Sequence, residues 1–168
     1  MRITRPARAL LAGCALFIWI ADAQAPAPAN LGQLMKGTLY PESNVVFAAQ
    51  DQNPAEVTRA KDPNMATDLL QSSYGKWEAV ENSALAIAEV ATLLEIPGRK
   101  CANGVDVPVR NADWMKFVQQ LRDAGMTAYT AAQSKNQDRM IDAADVMTKA
   151  CQGCHLRYRE KRAAERCK

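Results

Sequence analysis

Apolar residues recur at every third or fourth position in four segments of the chain, and this spacing constrains the fold more than any other feature. Side chains three and four residues apart share one face of an α-helix, whereas a half-buried strand needs strict alternation, which no segment has. The pattern predicts helices over about residues 31–39, 63–94, 111–132 and 138–165. Four helices joined by loops in one domain predict an all-α fold, an antiparallel four-helix bundle.

Helix start and stop signals set these boundaries. Asn30 is suited to cap the first helix, and Pro41 is expected to end it. Asp62-Pro63 pairs a capping residue with a proline at the first helical position, which predicts the start of the second helix. Residues 41–63 are therefore expected to be a long connection with at most a turn or two of helix. Four aromatic residues on apolar helical faces are expected in the core: Tyr74, Trp77, Trp114 and Tyr129.

The last predicted helix carries the pentapeptide Cys151-Gln152-Gly153-Cys154-His155. On a helix, residues three and four apart share a face, so both thiols can reach the two vinyl groups at one edge of a porphyrin. The imidazole of His155 can then reach the iron. This Cys-x-x-Cys-His spacing predicts one covalent haem c, with Cys151 and Cys154 as anchors and His155 as a metal ligand. His155 is the only histidine in the chain, so neither a second histidine ligand nor a second ordinary c-type haem is expected.

Three other interpretations of the cysteine pair are weaker. A redox-active dithiol would be expected between a strand and a helix. A zinc site needs more nitrogen or sulfur ligands than one histidine and distant cysteines supply. A plain disulfide remains open in an exported protein.

The first 23 residues are typical of a cleaved secretory signal peptide. Three arginines precede an apolar run over residues 9–20, and small residues follow it around Ala23. A lipid anchor at Cys14 is less favoured, because most of the apolar run follows that cysteine. The chain is expected in the periplasm, with one domain over residues 24–168 and no membrane span. Removing the leader lowers the net charge from +3 to +1, which gives no reason to expect nucleic acid as a partner.

The pentapeptide followed by Leu156-Arg157-Tyr158-Arg159 resembles the class II c-type cytochromes, which comprise cytochrome c′ and its low-spin relatives. The resemblance implies a four-helix bundle with the haem on the C-terminal helix, and Arg159 beside the proximal imidazole. In the low-spin relatives a methionine of the first helix binds the iron, which implies Met35 as the second metal ligand here. Cytochrome c′ instead leaves that position open and binds NO or CO.

With Met35 on the iron, the expected function is transfer of single electrons between periplasmic redox donor and acceptor proteins, without catalysis. Lys149, Arg157 and Lys161 surround the motif and could offer a basic rim to an acidic partner. Pairing into a homodimer is common in proteins of this resemblance, but no residue demands it. Cys101 and Cys167 form either a disulfide or two free thiols, and the sequence leaves both open.

Overall fold

A computed structural model describes residues 27–168, so the predicted leader and Cys14 lie outside the described residues. The described chain is all-helical, and the only strand-like pairing within it is an isolated bridge between Lys100 and Asp106. No helix among these residues has the length and apolar character needed to cross a membrane. The principal elements are α1 (Leu31–Leu34), a π-helical turn (Met35–Leu39), α2 (Tyr40–Asp51), α3 (Trp77–Ala91), α4 (Ala112–Gln133) and α5 (Gln137–Tyr158).

Four long helices enclose one core. The first consists of α1, the π turn and α2 without a break, and α2 packs against both α3 and α5. Helix α4 packs against α3 and α5, so each long helix has two neighbours. A Cβ on Gly125 would lie 2.8 Å from the backbone nitrogen of Ala88, so this glycine allows α3 and α4 to approach closely. The largest fully buried side chains include Val46, Val80, Ile87, Trp114, Met140 and Met147.

The prediction that Pro41 ends the first helix was wrong. The helix continues to Asp51, because the π turn shortly before Pro41 accommodates the proline. A proline inside an α-helix donates no hydrogen bond, and its ring collides with the carbonyl four residues back. In the π turn the N–H of Tyr40 donates instead to the carbonyl of Met35, five residues back, which widens the helix at this point.

The second helix begins at Trp77 and not at Pro63. Asp62-Pro63 starts only a single 3₁₀ turn, Pro63–Met65, and the Asp62 side chain makes no capping hydrogen bond. The backbone of Gly75 lies so close to that of Leu70 that a Cβ on Gly75 would be 2.3 Å from the Leu70 carbonyl oxygen. The long connection is therefore residues 52–76. Tyr74 falls in it and is 70% exposed, so its predicted place in the core was also wrong.

The last helix ends at Tyr158, seven residues before the predicted end. Beyond it the chain folds back, and the Cys167 N–H donates to the Tyr158 carbonyl at 3.0 Å. A disulfide joins Cys167 to Cys101 in the loop between α3 and α4. The same loop holds the start of the first helix, because the Leu31 N–H donates to the Lys100 carbonyl at 2.8 Å.

Candidate functional site

The final turns of α5 face a large cavity between the helices. Its volume is about 760 Å³, which lies within the usual range for sites of small molecules and cofactors. The residues predicted from the sequence all line it, although they come from both ends of the described chain. They are Met35 of the π turn, Cys151, Cys154 and His155 of α5, and Arg159 directly after α5.

Most of the cavity wall is apolar. The first helix, α3 with the turn that follows it, α4 and α5 all contribute aliphatic or aromatic side chains. None of these residues was predicted to line a site, and Phe47 was expected in the long connection. The apolar lining includes Leu31, Leu39, Phe47, Ile87, Leu94, Trp114, Phe117, Val118, Leu121, Met147 and Ala150. Such a wall excludes water and strengthens the interactions of the few polar groups that face the cavity.

A second, more open space of about 490 Å³ adjoins the cavity. Cys151, His155 and Arg159 line both spaces. Phe47 also lines both, and the outer space is otherwise bordered by residues of α5 and by Glu160 beyond its end. The motif thus lies where the apolar interior meets the molecular surface, and a group held by it would be shielded over most of its area yet reachable at one edge.

Gly153, inside the motif, packs against an aromatic ring of α4. A Cβ added to Gly153 would lie 3.2 Å from Cε1 of Phe117, closer than a side chain usually lies to its neighbours. The Phe117 ring therefore lies directly against the motif backbone. No role was predicted for Gly153 beyond its place between the two cysteines.

The two thiols are not joined in a disulfide, and the pKa of each is raised. Burial raises the pKa of the Cys151 thiol above its ordinary value. Burial, with added repulsion from Cys151 and Asp113, raises the pKa of Cys154 to about 11. Reactive dithiols have lowered pKa values, so this environment does not favour a redox-active pair. Within residues 27–168, no group of three or more histidine, cysteine, aspartate or glutamate side chains is arranged to hold a metal ion.

The imidazole of His155 is partly buried at the cavity wall. Desolvation, together with the nearby Arg159 guanidinium, lowers the pKa of His155 below its usual value. The neutral ring, which has a free nitrogen lone pair to offer a metal, is therefore the dominant form at neutral pH. The Arg159 side chain pairs with Glu160, and its backbone N–H donates to the His155 carbonyl at 2.8 Å.

The three cations of the predicted basic rim form ion pairs or hydrogen bonds with other groups of the same chain. Lys149 pairs with Asp145 at 2.5 Å, and Arg157 pairs with Asp113 at 3.0 Å. Lys161 donates to the Lys168 carbonyl at 3.0 Å. All three cations thus have an internal partner, which weakens the case for a free basic rim.

The C-terminal tail forms part of the site, which the sequence did not indicate. Ala163, Arg166 and Cys167 line the large cavity together with residues 101–103 of the α3–α4 loop. The Asn103 amide donates to the Ala163 carbonyl at 2.9 Å, beside the disulfide. Together they hold the tail across one end of the cavity.

Comparisons of the chain with family models, with curated proteins and with solved structures found no match.

Proposed function

We propose that this chain is a periplasmic c-type cytochrome that carries single electrons on one covalent haem. In this proposal the four helices form an antiparallel bundle of the class II type, with the haem on α5. One observation carries the proposal: Cys151, Cys154, His155 and Met35 line a single apolar cavity. Two thiols and an imidazole on one helix, facing an apolar space with a thioether across the fold, form a donor set that fits a haem.

The bound haem would supply an iron that takes up and releases one electron. The chain's own part is to hold and shield that group. Cys151 and Cys154 would anchor it through thioether bonds to α5, and neither sulfur is engaged in a disulfide. His155 would bind the metal as a neutral imidazole, because its pKa is lowered by burial.

Met35 would be the second residue to bind the metal. It is partly buried against the core and lines the cavity from the first helix, whereas His155 reaches it from α5. A thioether ligand stabilises ferrous iron and raises the reduction potential. Two ligands on two packed helices would also leave little rearrangement between oxidation states, which suits electron carriage between periplasmic donor and acceptor proteins.

The second candidate is a protein that would hold the haem iron through His155 without Met35 and would bind NO or CO. The observation in its favour is the apolar side chains that the first helix contributes to the cavity besides Met35, namely Leu31, Leu39 and Phe47. Such a lid would suit a small uncharged gas if the Met35 sulfur packed against the wall. The two candidates share the attachment site and differ only at Met35.

The test is to express the full chain in a host that exports proteins and attaches haem. We expect the purified protein to gain the mass of one haem, and Cys151→Ala and Cys154→Ala together to abolish that gain. The oxidised protein should be low-spin, with a sulfur-to-iron charge-transfer band in the red and no response to CO. An exported chain with no added mass would contradict the proposal.

Two methionine variants separate the candidates. Met35→Leu should remove the charge-transfer band and admit CO, because leucine keeps the bulk but supplies no sulfur. Met147→Leu is the matched control, since Met147 is fully buried and lines the same cavity from the helix that carries His155. It should leave the spectrum unchanged. A wild-type protein that is already high-spin and binds CO would favour the gas-binding candidate.

A further inference from the structure

Five of the eight residues by which the first helix lines the cavity lie four positions apart, namely Leu31, Met35, Leu39, Ser43 and Phe47. Each of the other three, Gly32, Lys36 and Tyr40, directly follows one of them. At 3.6 residues per turn, a position four residues on is rotated by about 40°, so this repeat would drift by about 160° over sixteen residues. In a regular α-helix, Leu31 and Phe47 would therefore lie on nearly opposite faces.

The π turn removes most of this drift. It accommodates one extra residue in a turn of the helix, which reduces the drift around the helix axis by about 100°. Without that residue, the spacings between the five side chains would read four, three, four and four, the ordinary stripe of a core-facing helix. The extra residue in the π turn therefore keeps Met35 on the same face as Ser43 and Phe47.

Pro41 provides the physical cause of the π turn. It has no N–H to give to the Gly37 carbonyl, and its ring needs the space that this carbonyl would occupy in a regular helix. The turn ends at Leu39, two residues before Pro41, and the Tyr40 N–H donates to the Met35 carbonyl. Pro41 and Met35 are thus linked through the backbone of a single turn.

We propose that Pro41 is a positioning residue that, by holding the π turn, directs Met35 into the cavity. This inference rests on the proposed role of Met35 as a ligand. Pro41 itself does not line the cavity. With alanine at position 41, a regular α-helix regains its hydrogen bond, and the segment from Leu31 to Met35 turns by about 100° relative to α2. Met35 then leaves the cavity face.

The test compares two variants of the haem-loaded protein. In Pro41→Ala we expect the charge-transfer band to fall at least several-fold and CO affinity to rise at least tenfold. Hydrogen exchange of the amides of residues 36–40 should change as well, which reports on the helix without relying on the iron. Circular dichroism and the attached haem mass verify that each variant is folded and loaded.

The second variant combines Pro41→Ala with deletion of Gly37. Gly37 is exposed, and no atom lies within 4 Å of where its Cβ would be, so its loss removes no packing. Deleting one residue from the turn yields a regular α-helix in which Met35 keeps its orientation relative to α2. We therefore expect this variant to regain the band and to exclude CO, which a general loosening of the helix by the proline substitution would not produce.

Each outcome decides the inference. It is overturned if Pro41→Ala keeps the wild-type spectrum, CO response and exchange pattern, or if the deletion fails to restore ligation. A wild-type protein with haem attached but no charge-transfer band would overturn ligation by Met35 and this inference with it, while the covalent site would stand. A chain without haem would instead contradict the proposed function itself.

Discussion

The phenol of Tyr158 donates a hydrogen bond to Oδ1 of Asp113 at 2.6 Å, which ties the last turn of α5 to the first turn of α4. The backbone N–H of Trp114 donates to the same oxygen at 2.9 Å, and Nε of Arg157 donates to Oδ2 of Asp113 at 3.0 Å. The Tyr158 ring also packs edge-on against Trp114, with centroids 5.1 Å apart. This cluster holds the end of the helix that carries the motif.

The Asp113 carboxylate should make folding sensitive to acid. Its pKa is lowered from the ordinary value of 3.8, chiefly by the Tyr158 hydrogen bond and further by those from Trp114 and Arg157. A depressed pKa contributes stability above the unfolded value, and that contribution is lost as the pH falls through the folded pKa. We expect Tyr158→Phe to move the Asp113 pKa back toward 3.8, measured by NMR titration of the carboxyl carbon. An unchanged titration would rule out the phenol as the main cause.

The disulfide between Cys101 and Cys167 should add substantially to stability. It spans 66 residues, and closing a loop of that length in the unfolded chain is worth up to about 4 kcal/mol. We expect the double change of both cysteines to serine to lower the free energy of unfolding by roughly 2–4 kcal/mol in urea titrations. Asn103→Ala, which removes the neighbouring hydrogen bonds to the tail, should cost only about 1 kcal/mol. Equal losses would mean that the disulfide adds no constraint of its own.

Gly125 should be intolerant of a methyl group. A Cβ there would lie 2.8 Å from the Ala88 nitrogen and 2.9 Å from the Ala84 carbonyl oxygen, and neither backbone atom can move without separating α3 from α4. We expect Gly125→Ala to destabilise the protein by about 1–3 kcal/mol, although alanine favours helix more than glycine does. Gly37→Ala is the control, since open space surrounds its Cβ position. That change should be neutral or slightly stabilising in the same urea titrations.

The starts of the third and fourth helices could be predicted well because they depend on local signals. The expected starts near Asn111 and Asp138 lie one residue from those of α4 and α5. The end of the first helix could not be predicted, since the rule that proline ends a helix does not anticipate a π turn that accommodates Pro41. The start of the second helix was predicted wrongly because Asp62-Pro63 satisfies the local start rule. The helix begins only after Gly75, whose close backbone approach to Leu70 no local rule anticipates.

The residues of the site likewise divide into those that local sequence spacing predicts and those that it does not. Cys151, Cys154 and His155 could be predicted to share a face because they lie within five residues of one helix. The resemblance supplied Met35, and the fold brings it to the same cavity. Phe117 and the tail residues Ala163 and Arg166 could not be foreseen, because they reach the cavity only through helix packing and a disulfide to a distant loop.

The thiols of the motif should react slowly in the folded chain purified without haem. Burial raises the pKa of Cys154 from 9.0 to about 11, so roughly one thiol in 10,000 is ionised at pH 7. Because the thiolate is the nucleophile, we expect alkylation of Cys154 by iodoacetamide to be up to about 100-fold slower in the folded protein than in urea. The rate should continue to rise with pH until about 11. The unfolded chain, in which the thiol regains its ordinary pKa, is the control. Alkylation at pH 7 that is as fast in the folded as in the unfolded chain would instead indicate an activated thiol, as in a redox-active dithiol.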